Sequence, residues 1–222
     1  MSKTNTKKSI ISSLIMLILS LIAIFLLYVF LFPTKKLPIY NPIDLNPKLV
    51  DSQLKNQKKN HKIADFRLIN QNGQIITQEN YKGKIYVADF FFTRCTTICP
   101  VMTFNMKDVQ NAFLDNDKVM FLSHSVTPEI DSVSVLKNYA INMGVNDKKW
   151  NITTGDKKHI YELARKSYFA VLEEGDGGLQ DFIHTENFIL IDTKRRIRGI
   201  YDGTDKADIQ RLIADIKILL EE

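Results

Sequence analysis

Cys95 and Cys99 are the only cysteines in this 222-residue chain, and they stand as C-x-x-x-C directly before Pro100. A thiol attacks a disulfide or binds a metal as the thiolate, and the start of a helix favours that form through its unpaired N–H groups and positive dipole end. The spacing of Met102, Met106, Val109 and Phe113 predicts such a helix from Cys99-Pro100 onward, with proline in the first turn where its missing N–H is not needed. Three uses of the pair compete. A structural disulfide would close a very short loop and stabilise little. A redox dithiol of the usual oxidoreductase kind would be C-x-x-C with a late proline opposite it, and here no proline follows Pro128. The place of that proline is held instead by His184, in Phe182-Ile-His-Thr-Glu-Asn-Phe-Ile-Leu-Ile-Asp192. Two thiolates and one imidazole form a soft, low-coordinate set suited to copper, Cu(I) or Cu(II), whereas structural zinc usually takes a fourth protein ligand.

These residues need a scaffold that brings a strand end, a helix start and a late loop together. Asn72-Gly73 between 63–70 and 74–77 predicts a hairpin, since both residues tolerate positive φ. The nearly continuous apolar run 85–92 reads as a central strand covered on both faces and ends at the cysteines. A second buried strand is predicted over 119–126, helices over 132–143 and 157–166, a hairpin from 188–192 and 196–201, and an amphipathic closing helix over 205–220. This order is that of an α/β, thioredoxin-like fold with an N-terminal β-hairpin extension, occupying residues 61–222.

Ahead of that domain, a short tail over 1–9 precedes an uncharged run over 10–32, long enough at about 1.5 Å per residue to cross a ~30 Å hydrocarbon core. It reads as a single retained transmembrane helix, with lysines on both flanks that leave its orientation undecided. Residues 33–60, with Pro38, Pro42 and Pro47, read as an extended tether. The net charge of +5 equals the five lysines of residues 1–36, so the remainder is neutral and nucleic acid is excluded as an expected partner.

Other side chains invite weaker readings. Met102 and Met106 share a helix stripe with Val109 and Phe113 and read as core rather than copper ligands. His124, near the end of the second strand, is expected at the same sheet edge as the cysteines; it reads first as a buried, hydrogen-bonded histidine and second as the candidate for an auxiliary role, while His61 and His159 read as solvated, as does Arg94. Glu173-Glu-Gly-Asp-Gly-Gly178 reads as a pliable loop that lets His184 approach when metal arrives. A thiol peroxidase would place Thr three residues before its cysteine, where this chain has Phe92.

Phe91-Phe-Thr-Arg-Cys-Thr-Thr-Ile-Cys-Pro100, Ser125-Val-Thr-Pro-Glu-Ile-Asp131 and His184 before Ile189-Leu-Ile-Asp192 together resemble the Sco/SenC family of membrane-anchored copper proteins, from about residue 61 to the end. The resemblance implies a thioredoxin-like fold, copper held by Cys95, Cys99 and His184, and a role in assembling the copper site of cytochrome c oxidase subunit II. It also implies an inner-membrane anchor with the domain facing the periplasm. The chain departs from the family pattern at Thr96-Thr97, where Pro-Asp is frequent, at Thr127, where Asp is frequent, and at Ile183, where Asp is common, which removes nearby carboxylates. The first expectation is a copper metallochaperone, which is not an enzyme; the alternative is a membrane-anchored thiol–disulfide reductase that cycles Cys95 and Cys99.

Overall fold

The computed structural model describes residues 3–31, 35–42, 61–171, 175, 177–178 and 180–222, divided into two units, Met1–Lys36 and Leu37–Glu222. The first unit contains α1 (Lys3–Leu31). This helix begins within the expected tail. Its side chains over 13–27 are exposed. Among the described residues, no helix is long and apolar enough to cross a membrane. The expected span over 10–32 therefore falls partly outside what is described, at Phe32 and at the side chains of 10–12, 28 and 29.

The second unit is built on one seven-stranded sheet of β1 (Arg67–Asn70), β2 (Ile75–Thr77), β3 (Ile85–Phe91), β4 (Val119–Ser125), β5 (Trp150–Thr154), β6 (Asn187–Ile191) and β7 (Ile197–Asp202), in the order β2-β1-β5-β4-β3-β6-β7. β3, β4 and β5 run parallel, with Phe91 opposite Ser125, so their C-terminal ends share one edge; β6 runs antiparallel to β3. The thioredoxin-like order holds, with one strand more than the sequence predicts. β5 is only five residues, Trp-Asn-Ile-Thr-Thr, too short and polar to announce itself, and it is what joins the β1–β2 hairpin to the sheet.

Side chains alternate across the strands and divide the core into two layers. One face of the sheet packs α2 (Ile98–Ala112), α3 (Val133–Met143) and α5 (Lys206–Glu221), through Met102, Met106, Leu136, Leu212 and Ile216. The other packs α4 (Lys157–Glu162), with the π-turn that follows it, and the lead-in to β1, through Ile160, Tyr161, Tyr168 and Phe66. Caps match local chemistry: the Ser132 hydroxyl accepts the Val135 N–H at the start of α3, and Gly144 ends it at φ 72°.

Part of the stretch expected as a free tether is built into the domain. Leu37 is buried, the Tyr40 N–H donates to the Ile197 carbonyl at 2.9 Å, and the buried Arg198 guanidinium donates to the carbonyls of Leu37 and Pro38 and to the carboxylates of Asp192 and Glu222. A buried guanidinium needs acceptors for its five N–H groups, and residues 37–38 supply two of them. Residues 43–60 lie outside the described residues.

Candidate metal centre

β3 ends at Phe91, and four residues later Cys95 stands over the start of α2. The N-cap residue Thr97 makes no side-chain cap; the Cys95 sulfur takes that place, accepting the Cys99 N–H at 3.4 Å, with the Thr97 hydroxyl 3.6 Å away. The sulfur thus occupies the anion position that a helix start offers. Both cysteines are free thiols and both are buried. Burial pushes the Cys95 thiol up, but hydrogen bonds from Cys99 and Thr97 outweigh it and bring it down to about 7. Cys99 behaves oppositely: burial, reinforced by the bond to Cys95, pushes it up to about 12. One sulfur is prepared as thiolate near neutral pH and the other is held as thiol until its neighbour reacts or a metal displaces its proton.

Beneath the pair, on the same face of β3 as Val87 and Phe91, sits the buried Asp89 carboxyl. It accepts the Ser123 hydroxyl at 2.5 Å, and Ser123 in turn accepts the Trp150 indole N–H at 2.8 Å. Burial raises Asp89 to about 7 against the pull of Ser123. The sequence reading missed Asp89; a lone acid within an apolar strand was its available signal. Met102 and Met106 are fully buried in the core, as their stripe predicts.

His184 is placed differently. Its side chain is exposed, between the buried Ile183 and Thr185, whose hydroxyl donates to the Ala170 carbonyl at 2.7 Å. The adjoining Phe182 packs edge-on against Phe92 at 5.2 Å, linking this segment to the approach to the cysteines. Among the described residues, no three His, Cys, Asp or Glu side chains are grouped to hold a metal ion. The structure brings Cys95 and Cys99 together and does not bring His184 to them. Of the expected pliable loop, Glu173, Glu174 and Asp176 lie outside the described residues; its end is fastened by Asp181, which receives both terminal nitrogens of Arg165, at 2.7 and 2.6 Å, and the Gly177 N–H at 2.7 Å.

Of the other histidines, His124 is buried, as expected, whereas His61 and His159 correct the expectation of solvated rings. His124 is fully buried on the face opposite the cysteines, stacked on Phe90 at 4.9 Å and near Phe66 and Tyr168. The strand period of two turned it away from the site. Its Nδ1 lies 3.3 Å from the Thr153 hydroxyl, its Nε2 has no hydrogen-bond partner among the described residues, and burial, with His159 nearby, pushes it down to about 3. His61 is half-buried rather than solvated, 2.7 Å from the Ser167 carbonyl and against Phe169. His159 is likewise half-buried.

The SCO1/SenC family model matches residues 54–221. The chain belongs to the SCO1/SenC family. A SCO1 homologue of Bacillus subtilis is 34% identical over 160 residues, covering 71% of this chain and 82% of its own. The structure of BsSco, described as having a disulfide switch and as a member of a family of cytochrome c oxidase assembly proteins, superposes with a TM-score of 0.62 at 33% identity, over 72% of this chain and 94% of that one. Bradyrhizobium japonicum ScoI, solved with copper bound, gives 0.58 at 28% identity, over 72% and 99%. For this SCO1/SenC chain the matched region coincides with the thioredoxin-like α/β domain described above.

Proposed function

We propose that this chain holds one copper through Cys95, Cys99 and His184 and passes it to the copper site of a membrane cytochrome c oxidase, with subunit II as acceptor. The observation that carries the reading is the free cysteine pair at the start of α2, one thiol lowered to about 7. Soft sulfur donors with one imidazole match copper in either oxidation state, and copper-bound relatives support the same cargo. His184 completes the set by moving toward the two sulfurs when metal arrives, its side chain standing exposed and free of the core. The apolar run 10–32 serves as a membrane-spanning anchor, with the domain on the periplasmic side. Delivery proceeds by ligand exchange, the acceptor's donors replacing the cysteines one at a time.

The division between Cys95 and Cys99 favours a second activity, reduction of an acceptor disulfide. The Cys95 thiolate attacks one sulfur and releases the other as a thiolate. The Cys99 thiol then gives its proton to the released acceptor thiolate and its sulfur attacks Cys95 in the mixed disulfide, freeing the second acceptor sulfur as a thiolate, so the acceptor is reduced by two electrons and Cys95–Cys99 is oxidised.

Anaerobic copper titration of the reduced full chain in detergent, beside His184→Ala and Cys99→Ser, tests the first reading. One copper per chain, with a thiolate-to-Cu(II) absorption lost in both variants, is the expected result. No tight copper in the reduced wild type sinks the metallochaperone and leaves the reductase; disulfide exchange retained in His184→Ala separates the two activities.

A further inference from the structure

Asp131 is completely buried, just ahead of α3, and its carboxylate accepts four hydrogen bonds. The Thr93 hydroxyl donates to Oδ1 at 2.5 Å, and the Thr93 N–H donates to Oδ2 at 3.2 Å. The Ser125 and Thr127 hydroxyls donate to Oδ2 at 2.5 and 3.0 Å. Every donor is a hydroxyl or an amide, and they come from three places: the loop after β3, the last residue of β4, and the turn that leaves β4. β3 and β4 end side by side, and the Val126 N–H to Phe91 carbonyl bond at 2.8 Å carries their pairing one step further.

Burying a carboxylate is costly unless its acceptor positions are filled, and this one is filled by groups whose geometry it then dictates. Thr93 lies two residues before Cys95. Between them Arg94 is exposed, and the Cys95 backbone is held by a 3.3 Å bond to the Phe92 carbonyl. The direction in which the chain leaves Thr93 sets where the Cys95 sulfur stands over the first turn of α2, and Asp131 grips Thr93 at two points.

We propose that Asp131 is a positioning residue for the cysteine pair, locking Thr93 to the end of β4 so that the Cys95 sulfur is held against the Cys99 N–H. Thr127, which replaces a frequent family carboxylate, serves here as one of the donors that hold Asp131 in place. This role rests on the reading of Cys95 and Cys99 as the functional pair and does not require that their cargo be copper.

The test uses the reduced full chain in detergent as wild type, Thr93→Val, Thr93→Ser and Asp131→Asn. Release of copper to a chelator and the thiolate-to-Cu(II) absorption are recorded, and the dithiol–disulfide equilibrium with glutathione is measured on metal-free protein. Thr93→Val removes one hydroxyl at the rim of the hub and keeps the fold testable where Asp131→Asn unfolds. Thr93→Val is expected to release copper about tenfold faster and to shift the glutathione equilibrium by a similar factor, about 30 mV for a two-electron couple, with Thr93→Ser matching wild type in both. Equal release and equal glutathione equilibrium in wild type and Thr93→Val overturn the role. A wild type that binds no copper overturns the copper reading, and the metal-free equilibrium then decides on Asp131: a shift in Thr93→Val restored in Thr93→Ser supports it, and no shift overturns it.

Discussion

Each face of the central sheet carries a buried apolar cluster, and the two differ in the ionisable group they enclose. On the cysteine face, Asp89, Ser123 and Trp150 form a hydrogen-bonded chain under a pair of thiols that stand at a helix start. On the other face, His124 lies among Phe66, Phe90 and Tyr168, with no partner for Nε2 among the described residues. A metal ligand or nucleophile needs a route to its partner; His124, sealed in an aromatic layer and kept neutral by burial, has none. The proposed chemistry lies on the first face, and the second face packs the strands against α4.

The largest difference between the faces should appear in metal binding. Cys95→Ser is expected to abolish copper uptake, whereas His124→Leu leaves one copper per chain with an unchanged absorption spectrum; loss of copper in His124→Leu would break the contrast. Next in size is the contrast between the two thiols. Iodoacetamide should modify Cys95 at a rate that reaches half its plateau near pH 7, with Cys99 unmodified through pH 9, as followed by peptide mass spectrometry. Equal labelling of the two would contradict the division of labour between attacking and resolving sulfur.

The pH dependence of folding separates the faces by sign. Asp89 is raised from 3.8 to about 7 by burial, so the folded state keeps a proton that the unfolded chain gives up. Its contribution is complete below pH 3.8 and is lost as pH rises to 7. His124 is lowered from 6.5 to about 3 by burial, so its contribution is complete above pH 6.5 and is lost as pH falls toward 3. Between pH 3.8 and 6.5 the two slopes, each at most about 1.4 kcal/mol per pH unit, oppose each other. Urea unfolding of metal-free protein should show stability falling on acidification across this window in Asp89→Asn and falling on alkalinisation in His124→Leu. The same slope in both variants would refute the assignment. The smallest effect is expected from Met102→Leu and Met106→Leu, which should each cost less than about 1.5 kcal/mol and leave copper binding intact, since both side chains fill the core beneath the site.

Much of this was legible from residue types alone. The run 85–92, the helix stripe from Met102 to Phe113, Asn72-Gly73 and the Ser132 to Gly144 helix all appear where local pattern puts them, because burial on one or both faces leaves a periodic mark on neighbouring residues. The cysteine pair at a helix start is also a local fact. β5 was not legible, being five residues long and paired only through partners distant in sequence. Residues 37–40 read as tether because nothing local announces Arg198, about 160 residues away, which requires their carbonyls.

By itself the sequence determined the order of elements other than β5, the strand-to-helix handover at the cysteines and the donor types available for copper. Tertiary structure alone decided which face each polar group occupies. A one-residue change of position on a strand reverses the side to which its side chain points, and so Asp89 lies beneath the cysteines while His124 is sealed away from them. Tertiary structure also decided that Asp131 reaches Thr93 across 38 residues and that His184 stands apart from the two sulfurs, because those relations are made by separate segments meeting at one edge of the sheet.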